Sequence, residues 1–222
     1  ASVTAAKIAS GLQLVTTDAQ SNTVAGTNAG DSFSGTSATS NTLFGYNSGT
    51  AITTGDYNTG IGAWSLTSTT TASYNSAIGY GSLNSNTTGA SNTAVGYHSL
   101  NVNTTGEQNT AVGYDALKAN TTADTNTALG HNSLTTNTTG SANTAVGKSP
   151  LQNNTTGASN SAFGRYALQH NTTGNNNTGL GANALRYSTT GIQNIAVGNA
   201  ALGANTTASN NTAVGKSALE TN

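Results

Sequence analysis

Side chains able to do acid–base or metal chemistry are scarce in this 222-residue chain: three histidines, seven Asp or Glu and six Lys or Arg. An Asp–His–Ser relay needs its members within hydrogen-bond reach of one another. Asp115 and Glu107 lie in segments neighbouring His98 and His131, and no motif joins them. No two of His98, His131 and His170 have the i, i+4 separation of a helical metal pair. There is no G-x-S-x-G nucleophile elbow and no phosphate-binding glycine loop. Zero cysteine removes disulfides, thiolate nucleophiles and zinc–cysteine sites together. The sequence therefore predicts no catalytic, cofactor-binding or metal-ligating residue, and no enzyme.

The aromatic and basic side chains have a different organisation. Tyr46, Trp64, Tyr80, Tyr97, His98, Tyr114, His131, Arg165 and Tyr166 all fall at two adjacent positions of one repeating unit. The unit is marked by glycines seventeen residues apart, from Gly45 through Gly96, Gly113, Gly130 and Gly147 to Gly215. A strict period over most of a chain is the mark of a stacked repeat architecture. Aromatic rings along one edge of such a stack are candidates for contact with sugar rings. Stacked tyrosines also stabilise neighbouring coils without any ligand.

We number the unit from its first Asn, position zero: Asn92, Asn109, Asn126 and Asn143 are central examples. Position three is always bulky and apolar, as in Val95, Val112 and Leu129, and position eight is Leu in every unit but the first, where Gly49 stands. Position two is Ala or Gly except at Leu43. Helices fit poorly, because the apolar stripe spacing is missing and two glycine corners recur. Short β segments broken by Gly and Asn turns fit better. The expected coil has a first strand at positions zero to three and a second at positions seven to twelve. The turns fall at the recurring glycine and at the Thr-Thr-Gly stretch.

The fold class is therefore all-β: a parallel β-solenoid with one 17-residue unit per coil, about eleven coils over 41–222. At strand spacing that makes a rod about 53 Å long. Positions three and eight would supply two aliphatic core columns, and a core so thin invites association. Small residues at position two would let chains approach closely. Identical asparagines one strand apart can bond in ladders, which accounts for the position-zero column without a ligand. A second Asn column, including Asn103 and Asn137, forms N-x-T sequons; turn formation is its plainer reading. The Thr-Thr pairs raise ice binding as a minor alternative, although adjacent residues of a strand point to opposite faces.

Residues 1–40 lose the period and are expected to form an N-terminal docking or cap segment. Asn22–Gly26 resembles a decayed copy of the unit, and 1–20 suits a short helix or a docking strand. The chain begins at Ala1 and holds no methionine, so a processed or partial chain is expected. Asn222 stops at position eleven of its unit, which implies a further domain, subunit or sequence there. Hydrophobic residues locked to a period argue against disorder despite the Asn, Thr, Ser and Gly content. Net charge −1 with six basic residues argues against nucleic acid, and no apolar run of eighteen residues predicts a membrane span.

N-T-A-V-G-Y-D-A-L from Asn109 and N-T-T-G-x-x-N from Asn137 resemble the repeats of phage and virus tail-fibre proteins. N-S-A-I-G at Asn75–Gly79 is similar, more loosely, to the N-S-x-A-I-G of the head repeats of trimeric bacterial adhesins. The first resemblance implies a trimeric, non-enzymatic fibre or spike shaft on a virion, with possible contact to host-surface glycans. The second implies a bacterial surface adhesin or a self-assembling, end-to-end extracellular filament. Both place the protein on a virion surface or outside a cell.

Overall fold

A computed structural model describes residues 16–33 and 37–221. These residues contain no helix and thirteen short strands in one sheet, ordered as in the chain. The strands are β1 (Thr16–Thr17), β2 (Thr23–Ala25), β3 (Thr42–Phe44), β4 (Thr59–Ile61), β5 (Ser76–Ile78), β6 (Thr93–Val95), β7 (Thr110–Val112), β8 (Thr127–Leu129), β9 (Thr144–Val146), β10 (Ser161–Phe163), β11 (Thr178–Leu180), β12 (Ile195–Val197) and β13 (Thr212–Val214). From β2 onward every pairing is parallel, and from β3 onward the partners are one whole unit apart: Thr93 faces Thr110, Ala94 faces Ala111, Val95 faces Val112. The chain is a β-solenoid.

The stack, though not the seventeen-residue period, begins earlier than residue 41. β2 pairs in parallel with β3, and Asn22 Oδ1 accepts from both the backbone and the side-chain nitrogen of Asn41. β1 lies antiparallel on β2 and closes that edge. Of residues 1–20, where a short helix or docking strand was expected, 1–15 lie outside the described residues, and Thr16–Thr17 form β1. At the other end, β13 pairs on one side only, with β12.

From β2 to β13 each strand is three residues long because position four is a glycine with φ between 125° and 142°, a region that side chains avoid. Its Cα also abuts the next coil. A Cβ on Gly113 would collide with the Gly130 carbonyl. Only glycine satisfies both demands.

The core corrects the expected packing. Position three does not face inward; Ala at position two does. Ala94, Ala111, Ala128 and Ala145 are fully buried, whereas Ile78, Leu129 and Leu180 are 40%, 46% and 47% exposed. Strand residues alternate faces, so Thr at position one shares the outer face with position three. Space decides which face is inner. The wall opposite carries the position-eight leucines, Leu100, Leu117 and Leu134, all fully buried. Between that wall and the sheet only a methyl fits. The small residues at position two are therefore core filler and not a surface for close approach between chains.

The second expected strand is absent. Positions five to ten form consecutive turns, yet this wall and the bend after it bond from coil to coil as a sheet does: Leu100 N donates to Ala116 O at 3.0 Å and Thr104 N to Thr121 O at 2.9 Å. The leucines of this wall hold φ near +50°, as at Leu100 and Leu117 (both 49°). That conformation costs a non-glycine residue about 1–3 kcal/mol and persists because the neighbouring coils fix it.

Unit one departs from the pattern at two places that compensate each other. Leu43 replaces Ala at position two and Gly49 replaces Leu at position eight. A Cβ on Gly49 would meet Leu43 Cδ1 at 2.6 Å, so the leucine has moved from one wall to the other.

Candidate functional site

The position-zero asparagines sit inside the coil, fully buried from Asn41 to Asn194. Oδ1 of Asn92 accepts from the backbone N of Asn109 at 2.9 Å and from its Nδ2 at 3.2 Å. Nδ2 of Asn109 also donates to Ala123 O at 2.8 Å. The step repeats at Asn126 and Asn143, each of whose backbone nitrogens donates to the preceding Oδ1 at 2.9 Å. The second column is a second buried ladder: Asn120 Nδ2 donates to Asn103 Oδ1 at 2.7 Å. Both columns converge on one carbonyl, since Asn92 and Asn103 both donate to Gly106 O. In this fold the sequon asparagines are interior scaffold, closed to a glycosylating enzyme. Asn, Gly and Leu ladders leave the outer positions to carry recognition.

The outer positions form several separate groups, not one edge. Tyr80, Tyr97, Tyr114 and His131 stack in series at 5.2–5.4 Å with interplanar angles of 9–11°. Tyr46 and Trp64 meet edge-on at 5.4 Å, apart from that series. Arg165 and Tyr166 belong to a third group, in which Arg186 lies 4.9 Å from the Tyr166 ring centre and 5.1 Å from that of Tyr187. The stacking has a chemical consequence. Rings stacked along the rod spend their faces on one another, so a sugar beside Tyr97 or Tyr114 meets ring edges. Sugar stacking requires a free face.

His98 lies against Tyr97, ring centres 3.9 Å apart, and occupies space left by Gly81 in the preceding coil. Its Nδ1 is 3.8 Å from Asp115 Oδ1, too long for a hydrogen bond, while Asp115 Oδ2 accepts from Lys118 Nζ at 3.1 Å. Burial holds the His98 imidazole below its ordinary value, with the Lys118 ammonium acting in the same direction and Asp115 opposing both. The neighbouring Ser99 hydroxyl donates to Gly96 O at 3.2 Å and does not approach the imidazole. His98 and Asp115 thus come together without the geometry of a relay. Among the described residues no three His, Cys, Asp or Glu side chains gather to hold a metal.

No family model, curated protein or solved structure matches this chain. No helix among the described residues is long and apolar enough to cross a membrane.

The Thr-Thr pairs also differ from expectation. They lie in a bend and not in a strand, so both residues avoid the interior. The first of each pair ties coils together: Thr104 Oγ1 donates to Thr121 O at 3.0 Å, and Thr121 Oγ1 to Thr138 O at 3.1 Å. The second, as at Thr105, Thr122 and Thr139, is exposed.

Sequence reasoning passed over two groups. Tyr57 and Tyr74, just before position zero, stack at 5.2 Å. At positions nine and ten, two side-chain ladders climb three coils: Gln152, Gln169 and Arg186 in one, Asn153, His170 and Tyr187 in the other. Each holds residues of several types, so no single column letter marks it. Listing equal positions of successive units side by side would have exposed both.

Proposed function

We propose that this chain is a non-enzymatic structural rod, the shaft of a virion tail fibre or spike that associates laterally with further copies, as a homotrimer. The observation that carries this reading is the apolar rank at position three. It runs the length of the sheet on its outer face, from Phe44 through Ile61, Ile78 and Leu129 to Leu180 and Val214. Eleven bulky side chains one coil apart form a strip about 50 Å long. Exposed apolar strips of that extent mark association surfaces. An interior Asn ladder that repeats without variation from Asn41 to Asn211 suits a part whose task is length and stiffness.

A bacterial surface adhesin or end-to-end extracellular filament is the second reading. Its support is the parallel register of the sheet, which strands of another copy could extend. The antiparallel β1 beside β2 opposes it, because a parallel stack cannot continue across that strand. Light scattering and electron microscopy of the native protein separate the readings. Discrete trimeric rods support the shaft, concentration-dependent fibrils support the filament, and a stable monomer at high concentration refutes both.

A further inference from the structure

The two ladders at positions nine and ten stop together. Gln169 Nε2 donates to Gln152 Oε1 at 3.0 Å, and Arg186 Nε donates to Gln169 Oε1 at 3.1 Å. Beside them His170 stacks on Tyr187 at 5.3 Å and 16°. In the next coil both positions shrink at once, to Gly203 and Ala204. Glu220 then resumes the first ladder one coil further on. The missing side chains leave a notch of about 260 Å³ bordered by Asn183, Arg186, Tyr187, Gly203, Ala204 and Glu220.

We propose that this notch is a subsite for one neutral pyranose ring of a carbohydrate. His170 stacks on Tyr187, and the Arg186 guanidinium lies 5.1 Å from its ring centre. Tyr187 borders the notch, and Ala204 in the next coil supplies no ring to continue the stack. Tyr97 and Tyr114, by contrast, have a stacked ring on either side. The notch floor supplies hydroxyl partners of both kinds. Asn183 borders it and brings a side-chain amide. Glu220 brings a carboxylate. Arg186 is held by Gln169 through Nε, leaving its two terminal amino groups for a ligand.

An aromatic plane flanked by convergent donors and acceptors is how a polyhydroxylated, weakly apolar ring is recognised. The charges narrow the class. Arg186 beside the ring disfavours a cationic ligand, and Glu220 disfavours an anionic one. The volume lies just under the roughly 300 Å³ at which drug-sized pockets begin, the scale of one ring. The assignment stands on the notch geometry and does not depend on the shaft reading.

The test is an NMR titration of the 15N-labelled protein with the methyl glycosides of glucose, galactose and mannose. At least one should shift the backbone amides of Tyr187, Gly203 and Ala204 with millimolar affinity. Ala204→Tyr extends the stack into the notch and should weaken binding at least tenfold. Tyr187→Phe keeps the ring and should retain binding, and Tyr97→Ala should leave it unchanged. No shift with any of the three glycosides overturns the proposal, as does binding that survives Ala204→Tyr. Shifts at the notch with tetramethylammonium or a sialic acid glycoside, and with none of the neutral sugars, overturn the neutral class. Native mass is read on the same variants, so failure of the shaft reading registers separately.

Discussion

Single side chains inside this rod act as links and not as isolated contacts. Asn109 shows what one link carries: it accepts from the Asn126 backbone nitrogen and donates to Asn92 and Ala123. Asn109→Ala would strand the Asn126 N–H in a dry interior, while the Ala123 carbonyl keeps Asn120 as a donor. An orphaned buried group costs about 1–3 kcal/mol, so a loss of about that size is expected in urea unfolding. Thr105→Ala, at an exposed hydroxyl, should stay within about 0.5 kcal/mol. Equal effects would refute the ladder. His98 gives a pH dependence of defined sign. Its folded value lies below the ordinary 6.5, so the unfolded chain binds more protons in the window between them. Stability therefore falls as pH drops from 6.5 through the folded value. The wild-type melting temperature should decrease between pH 7 and 5 by more than that of His98→Asn, and parallel curves would remove His98 as a cause.

At the scale of the element, the strand–glycine corner sets the coil. Gly113→Ala places a methyl against the Gly130 carbonyl at φ 140°, whereas Gly215→Ala, at φ 125°, meets nothing nearer than Ala218 Cβ at 3.9 Å. Both substitutions bear the backbone strain of about 1–3 kcal/mol, and only the first also breaks the stack. Gly113→Ala should be the more destabilising by at least about 2 kcal/mol, read from chemical denaturation; equality would mean that φ alone fixes these glycines. The same corner shows how far the sequence reaches. Period, parallel sheet and glycine turns were legible because each is a spacing. Which face of Thr-Ala-Val turns inward was not, since hydrophobicity favours Val95 and only the space left by Leu100 decides for Ala94. The second wall misled for a related reason. Its inter-coil bonds mimic a strand's in period, while the leucines adopt a left-handed conformation that sequence preference argues against. The aromatic positions were legible as a group, but ring stacking, and hence which faces remain open, depends on neighbours one coil away.

Across the whole molecule, one geometry serves two opposed surfaces. The turn wall alternates large and small side chains and so varies from coil to coil, which leaves room for a local notch at Gly203. The outer sheet face repeats Thr beside a bulky apolar residue with little change, a pattern suited to a partner of the same period. A second copy of this chain has that period by construction. A single charge in the middle of the face then discriminates association from folding. Leu129 is 46% exposed and its strand neighbours are Val112 and Val146, so Leu129→Lys displaces nothing from the core and buries no charge in the single chain. The ammonium on its flexible stem reaches water freely in a monomer. In a lateral assembly the same group is trapped among apolar side chains, several kcal/mol worse per chain. Sedimentation should therefore find the wild-type rod as an oligomer and Leu129→Lys as monomers, with circular dichroism unchanged and thermal stability lowered only by the lost association. If Leu129→Lys sediments as wild type does, the outer face is not the interface.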